Sequence, residues 1–377
     1  MTTVDVAAPP PAGATAAPLT WVREVSGPAA QPPTRRTIAT MTAQDRIVEL
    51  GSLLSGFALG WVLCFRILPW GTVLAYVLTS FLLFLAIVTV ATLVTEPGPL
   101  VADRFMKALV NGGAFIVGVA LVSTVLFVAI RGWGAIRHVN MWTQGMVGVG
   151  PRDPLDVGGV AHAMLGTFVQ IAIAVAVTLP LGIGTAVFMT EVGGPFARVV
   201  RTVVEAMTAL PSIVAGLFIY TTLIVWLGVP ASGLAAAAAL SVMMLPIIAR
   251  AADVVLRVVP SGLREAGLAL GASHWRTVWN VVLPTARPGL ATALILGVAR
   301  GVGETSPVLL TSGAATFFVA NPVGGVMNSL PLFVFNAVRS GEPQYIERGF
   351  GAAFILLTLV LTLFVIARRL ARRSPGR

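Results

Sequence analysis

Arg300 and Glu304 are two charged residues within an apolar segment that is long enough to cross a membrane. A charge near the middle of a bilayer costs roughly 2.5–3.5 kcal/mol, so such residues are rare and usually functional. Their i, i+4 spacing predicts that both side chains lie on one helix face, close enough to pair. A guanidinium presents paired donors in one plane, which suits the oxygens of an oxyanion. The pair therefore indicates an anion site in which Glu304 tempers the charge and keeps binding weak enough for release.

Two interpretations of this charge pair remain open at the level of the sequence. In the first, Arg300 and Glu304 form a buried pair that locks their helix to a neighbour. In the second, Arg300 faces a wet pathway and offers its donors to the anion. Gly297, Gly301 and Gly303 leave room on this helix for another helix or for water. We favour the second interpretation, because ionisable residues inside a membrane usually serve function.

A polar segment, residues 255–284, lies between two apolar stretches and is too regular to be a plain loop. Its composition is helical from Leu263 to Leu270, and Gly271 then interrupts the helical pattern. A second amphipathic piece follows through three large apolar residues, Trp275, Val278 and Trp279. The segment is predicted to form two short helices joined at a glycine. Such a unit can be pushed as a whole by a partner outside the membrane.

The composition indicates an integral membrane protein. Of the 377 residues 56% are hydrophobic and only 11% are charged, and the mean hydropathy is +0.90; soluble domains average about 25% charged residues. The fold class is therefore predicted to be all-α and polytopic, with about eight transmembrane helices. The predicted spans are residues 48–66, 70–94, 109–131, 162–190, 206–229, 232–251, 285–312 and 349–369.

The distribution of basic residues predicts the orientation of these spans. With both termini in the cytoplasm, 18 lysines and arginines fall in cytoplasmic segments and 6 in external ones, and Arg300 lies within the membrane. This asymmetry follows the positive-inside rule, which also explains the net charge of +10 without nucleic-acid binding. It places the 255–284 segment in the cytoplasm, where ATP is. Residues 1–45, rich in Pro, Ala and Thr, are predicted to be a disordered cytoplasmic tail.

Several chemical functions are not supported by the sequence. Lys107 is the only lysine and is followed by Ala108, so the Gly-Lys-Ser/Thr sequence of a P-loop is missing. Cys64 is the only cysteine, which argues against a disulfide framework and a cysteine metal site. The histidines are too scattered for a cluster: His138, His162 and His274. We predict no catalytic residue, no metal site and no cofactor bound by this chain. If ATP drives it, another subunit binds the ATP.

The 255–284 segment resembles the cytoplasmic signature of bacterial ABC-importer permeases. The resemblance is carried, at the family's spacings, by Glu265, Ala266, Gly267, Gly271, Val281, Leu283 and Pro284. The sequence departs from the family pattern at Gly267, where Ala is usual, and at Val281, where Ile is usual. In that family the segment forms a coupling helix that docks in a groove of the ATPase subunit. The resemblance implies this role for Glu265, Ala266 and Gly271.

The apolar helix after the 255–284 segment makes the resemblance more specific. Residues 300–310, which contain Gly-Glu-Thr-Ser-Pro, are similar to the signature of the A-type permease of the phosphate-specific ABC importer, and residues 327–331 support this. The similarity covers about residues 109–370. It implies a type I ABC-importer permease domain at 109–373, preceded by two extra transmembrane helices at 46–108.

The resemblance implies a phosphate permease subunit with no catalytic chemistry of its own. Its expected partners are a homologous C-type permease, two copies of a cytoplasmic ATPase that carries ATP and Mg²⁺, an extracytoplasmic phosphate-binding protein and membrane lipid, but no nucleic acid. The expected location is the bacterial inner membrane. The alternatives are a permease for sulfate or molybdate, a proton-coupled carrier that uses Glu304, and a membrane scaffold without transport. The 255–284 segment argues against the carrier, and the intramembrane charge pair argues against the scaffold.

Overall fold

The computed structural model describes residues 43–68, 70–95 and 98–372. All regular elements within these ranges are helices, which confirms the predicted all-α class. The predicted tail, residues 1–45, lies outside them except for its last three residues, which open α1. The α-helices are α1 Ala43–Val62, α2 Val73–Thr95, α3 Gly98–Ile136, α4 Val139–Thr143, α5 Ala161–Val187, α6 Gly194–Thr208, α7 Ser212–Ile219, α8 Gly233–Val258, α9 Ser261–Ala269, α10 His274–Thr277, α11 Leu283–Val302, α12 Ser306–Thr311, α13 Leu330–Arg339 and α14 Pro343–Arg372.

Some of these helices are extended or joined by wider, π-type turns, a feature that often occurs near functional sites. Within the described ranges such turns are Leu63–Ile67, Phe188–Val192, Tyr220–Trp226 and Val278–Val282. They follow α1, α5, α7 and α10. The turn Phe188–Val192 thus lengthens α5, and the turn Val278–Val282 joins α10 to α11.

The chain divides into two compact units, residues 1–115 and 116–377. In the first unit, α1 packs against α2 through two glycines of α1. A Cβ atom at Gly56 would lie 2.9 Å from the backbone nitrogen of Phe84, and one at Gly60 would collide with Ser80. Small residues at these positions allow the two apolar helices to approach closely, as is common in membranes.

In the second unit, α8 lies at the centre of the packing and contacts α5, α6, α7, α11 and α12. The small-residue run at its start is almost wholly buried, since Ala235, Ala236, Ala237 and Ala239 are all 0% exposed. Small residues of this kind allow close approach between helices in a membrane. The other helices of the unit are therefore positioned relative to α8.

Helix α11 packs directly onto α8. A Cβ atom at Gly297 would collide with Ile248, and one at Gly301 would collide with Met244. The room that these two glycines leave is filled by α8. Around Gly303, in contrast, the nearest atom is a backbone oxygen at 4.0 Å. The predicted room for another helix is thus confirmed at Gly297 and Gly301, and Gly303 has open space beside it.

Seven described helices are long and apolar enough to cross a membrane, or up to eight if the bent pair α6 and α7 forms one span. The predicted span 206–229 is wrong as a single helix, because α6 and α7 meet at an angle of 105°. Pro211 at the break is extended, with φ −60° and ψ 140°. A residue before proline disfavours helical geometry, which explains why the helix ends here.

The predicted span 285–312 also differs from the structure. Helix α11 ends at Val302, and α12 begins only at Ser306. Pro307 lacks the N–H that would donate to the carbonyl of Gly303 in a continuous helix. The break follows from this missing donor together with the glycine. It places Glu304 in a turn rather than inside a helix.

Candidate functional site

Arg300 and Glu304 lie together at the break that follows α11. Arg300 Nη2 is 2.8 Å from Glu304 Oε1, which confirms the predicted pairing. The two side chains differ in exposure: 56% for Arg300 and 7% for Glu304. The break thus buries the carboxylate and leaves much of the guanidinium side chain accessible.

The contact between these two side chains is an ion pair by distance alone. Glu304 Oε1 is buried and has no aligned hydrogen bond within the described part of the chain. A guanidinium has five N–H donors and is strongest when two of them meet one carboxylate in parallel. Arg300 and Glu304 do not form two such parallel hydrogen bonds. Arg300 therefore retains donors for a second anion.

A small cavity of about 10 Å³ adjoins Glu304. Its polar lining comes from Thr167 and Gln170 of α5, from Glu304, and from Ser329 just before α13. The remaining walls are apolar. A space of this size holds at most about one water molecule. The carboxylate is consequently close to other hydrogen-bonding groups but remote from bulk solvent.

Hydrogen bonds attach the segment between α12 and α13 to α5. Gln170 Nε2 donates to Ser312 Oγ at 3.0 Å, and Ser312 Oγ donates to the carbonyl of Met327. The backbone N–H of Leu330 donates to Thr167 Oγ1 at 2.8 Å. Non-helical backbone at membrane depth needs such internal partners.

The apolar run Leu330–Val338 is too short to span a membrane, so the sequence predicts a short re-entrant or interfacial helix there. The structure has the helix α13 at this position.

The first of the two short helices predicted in the 255–284 segment is α9. The second is wrong as a separate short helix, because α10 is the first turn of a continuous helix, His274–Val302. Gly271, with φ +79°, ends α9 in a left-handed conformation that glycine adopts without strain. Glu265 and Ala266 are exposed on α9. Two leucines near them are exposed as well, Leu268 at 46% and Leu270 at 89%. The end of this unit thus presents a mixed acidic and apolar face.

Gly267 has a packing function that the comparison with the family pattern does not reveal. A Cβ atom there would lie 2.8 Å from Cγ2 and 2.9 Å from Oγ1 of Thr277. Real Cβ atoms do not approach other atoms so closely. The absence of a side chain at Gly267 lets α10 pack against α9, so the departure from Ala has a local structural cause.

Glu191 joins the 255–284 segment to α5, and sequence analysis missed this contact. Arg264 Nη2 and Nε donate to Glu191 Oε1 at 2.8 and 3.2 Å. Arg264 also donates to the carbonyls of Leu256 and Val259, at 3.0 and 2.7 Å. The Glu191 side chain is only 3% exposed. An acidic residue directly after a long apolar span was the available signal.

Comparisons with known proteins agree with this arrangement. Residues 178–374 match the family described as "Binding-protein-dependent transport system inner membrane component". The "Phosphate transport system permease protein PstA 1" of Mycobacterium tuberculosis is 39% identical over 272 residues, which cover 70% of this chain and 87% of that protein. The PstA protein of Mycobacterium leprae is 39% identical over 68% of this chain and 86% of its own length. The chain belongs to the PstA family of membrane permeases.

As a member of the PstA family, the chain is a multi-pass inner-membrane permease, in agreement with its helical architecture. Among solved structures, an inward-facing form of the MetNI methionine ABC transporter is 24% identical, over 58% of this chain and 95% of that one, with a TM-score of 0.45. The matched residues 178–374 include both the charge pair and the 255–284 segment.

A second buried acid of this PstA-family permease also lies near the 255–284 segment. Asp253 of α8 is 7% exposed and contacts two arginines. Arg201 Nη2 of α6 is 3.3 Å from Asp253 Oδ1, and Arg257 Nη2 is 3.1 Å from Asp253 Oδ2. A buried carboxylate needs such partners. Asp253 thereby attaches the amphipathic helix α6 to α8.

Arg348, near the start of α14, is buried, with a residue exposure of 1%. Its Nη2 atom donates to the carbonyls of Asp153, Pro154 and Val157, at 3.1, 2.6 and 2.9 Å. The loop before α5 is therefore held in shape by α14.

Proposed function

We propose that this permease is the transmembrane subunit of an ATP-driven phosphate importer and forms half of its translocation pathway. The observation that carries the proposal is the half-exposed guanidinium of Arg300 beside the buried carboxylate of Glu304. The identity to proteins named phosphate transport permeases supports the choice of phosphate as the substrate.

The pair is suited to transient binding of an oxyanion. Arg300 supplies donors in the planar geometry that phosphate oxygens accept. Glu304 lies 2.8 Å away and offsets part of that charge. An arginine without this neighbour would bind the anion more tightly and release it more slowly. The arrangement thus favours passage over retention.

The 255–284 segment is proposed as the contact with a separate ATPase. Glu265 and Ala266 are exposed on α9, and Gly271 sets the angle at which the chain leaves that helix. ATP and Mg²⁺ would be bound by two copies of a cytoplasmic ATPase. Closure of the ATPases on ATP would move the segment and turn the helices outward-open. Hydrolysis would reset them.

The remaining parts of the assembly follow from the same proposal. A homologous C-type permease would form the other half of the pathway, and an extracytoplasmic binding protein would deliver phosphate. Both termini would lie in the cytoplasm of a bacterial cell. Residues 109–373 would form the permease domain, with 46–108 as an additional helix pair of the same chain.

Uptake by the reconstituted complex tests this function. Vesicles that contain this chain with its partner subunits receive labelled phosphate, with and without ATP and with an excess of unlabelled sulfate. We expect uptake that requires ATP and is unaffected by sulfate. Competition by sulfate would instead indicate a permease for another oxyanion. Uptake without ATP that collapses with the proton gradient would indicate a secondary carrier, and normal ATPase binding without uptake would indicate a scaffold.

A further inference from the structure

We propose that Glu191 is a positioning residue that transmits movement of the 255–284 segment to α5. This inference rests on the proposed function, since it concerns the step between the ATPase and the pathway. Glu191 lies in the π-type turn that lengthens α5, and its nearest charged partner, Arg264, lies in α9. The contact spans 73 residues of sequence and joins two separate elements.

The geometry of this contact is that of a rigid joint. Arg264 approaches Glu191 with both Nε and Nη2, and these atoms lie 3.3 Å from Oε2 and 2.8 Å from Oε1. The exposed fractions are 3% for the Glu191 side chain and 25% for that of Arg264. Bidentate, shielded pairs are the strongest ion pairs in proteins because both direction and distance are fixed. A shift of α9 therefore displaces the end of α5.

Other elements converge on the same joint. Arg264 donates to the carbonyls of Leu256 in α8 and Val259 just after it. His274 Nε2 of α10 is 3.8 Å from Glu191 Oε2. The joint thus connects α9 and α10 with the ends of α5 and α8. These are the two membrane helices that carry most of the packing in the second unit.

Helix α5 leads from this joint to the candidate anion site. Gln170 and Glu191 are 21 positions apart, which corresponds to about 30 Å at the helical rise. Gln170 lines the cavity beside Glu304 and donates to Ser312. A displacement at Glu191 is consequently delivered to the segment that surrounds Glu304. Glu265 and Ala266, in contrast, lie on the exposed face of α9.

The test is the number of phosphate ions transported per ATP hydrolysed by the reconstituted complex. In Glu191→Gln we expect this ratio to fall about fivefold or more, the lower range of coupling between linked sites, while the ATPase still co-purifies and hydrolyses ATP. Arg264→Gln and the double variant E191Q/R264Q should show the same fall, since the two residues act as one unit. Glu205→Gln, an exposed glutamate of α6, is the matched control and should leave the ratio unchanged.

Hydrogen exchange of residues 261–277 separates failure of this inference from failure of the proposed function. In E191Q we expect faster exchange there than in wild type, with residues 330–339 unchanged. This readout requires no transport, so it remains informative if the wild-type complex does not carry phosphate. An unchanged transport ratio in E191Q, or unchanged exchange at 261–277, would overturn the role of Glu191. If E191Q does not assemble, Glu191→Asp keeps the charge but is too short to reach both donors; a wild-type ratio in that variant also overturns the inference.

Discussion

The pairs Glu191–Arg264 and Glu304–Arg300 have the same chemistry and nearly the same burial of the acid. The acids are 3% and 7% exposed, whereas the arginines are 25% and 56% exposed. Arg264 makes a bidentate contact and two further hydrogen bonds to carbonyls. Arg300 Nη2 lies 2.8 Å from Glu304 Oε1, but this oxygen accepts no aligned hydrogen bond within the described residues.

The difference between the two pairs lies in the donors that remain. The guanidinium of Arg264 is saturated by protein groups, so it holds elements together and has little capacity for a ligand. The guanidinium of Arg300 makes no such hydrogen bonds to carbonyls, so its N–H groups are available for the anion that we propose. The number of N–H groups occupied by the protein thus separates the structural pair from the proposed binding site.

The largest effect on transport is expected from Arg300→Gln. Loss of charged donors to the anion should lower uptake by about tenfold to a hundredfold, the factor given by ~1.5–3 kcal/mol per charged hydrogen bond. Labelled phosphate uptake by the assembled complex measures it. Arg287→Gln, an exposed arginine of the same helix, is the control. Normal uptake in R300Q would contradict the pathway role, and failure to assemble would favour the interpretation of a buried structural pair.

The largest effect on stability is expected from Arg264→Gln. This change leaves the buried carboxylate of Glu191 without its partner, which costs about 3–5 kcal/mol. R300Q also leaves a buried acid without its partner, but it should cost less than R264Q, because only Arg264 additionally loses hydrogen bonds to two carbonyls. Unfolding in detergent under increasing denaturant provides both values. The double variant E191Q/R264Q should recover much of the loss, and equal losses in R264Q and R300Q would remove the distinction between the two pairs.

Gly267→Ala should destabilise the packing of α9 against α10 by about 1–3 kcal/mol, the usual cost of overpacking. Thr277 would have to move away from the added methyl group. Removal of its side chain in G267A/T277A should restore most of the lost stability, as the same denaturation experiment can show. Gly262→Ala in the same helix meets no atom within 4 Å and serves as the control; we expect no loss there. A harmless G267A would refute the close approach.

The smallest expected effect is that of Gly271→Ala. The left-handed conformation at φ +79° costs about 1–2 kcal/mol for a residue with a Cβ atom. Asparagine tolerates this conformation better, so Gly271→Asn should lose less than G271A. Co-purification of the ATPase with each variant would show whether the chain direction at Gly271 affects ATPase binding in addition to the stability of the permease. Equal stability of wild type and G271A would mean that the turn is not fixed.

The sequence predicts those parts of the site that are set by local geometry. The pairing of Arg300 with Glu304 follows from a spacing of four residues, and the turn at Gly271 follows from a glycine after a helical pattern. Both are found in the structure. Six of the eight predicted spans are also recovered as long helices, all except 206–229 and 285–312, because long apolar runs are a strong signal.

Contacts between distant parts of the chain could not be predicted from spacing. Glu191 and Arg264 are separated by 73 residues, and Gln170 and Ser312 by 142. These pairs depend on how helices pack around α8. The breaks at Pro211 and Pro307 did have a local signal, but hydropathy alone does not register a missing backbone donor. Pro307 cannot donate to the carbonyl of Gly303, four positions earlier, and this combination of proline and glycine would have located the break after α11.

The hydrogen bonds of Arg348 have a consequence for the order in which the protein is made. Its partner Asp153 precedes it by 195 residues, a stretch that takes about 10–40 s to synthesise at ordinary ribosomal rates. During that time the loop at Asp153 has no arginine to bind, although the helix after it has already been produced. The surface of the permease formed by this loop therefore matures last, when the final span has been made, and a nascent chain halted before α14 would expose this loop to proteases.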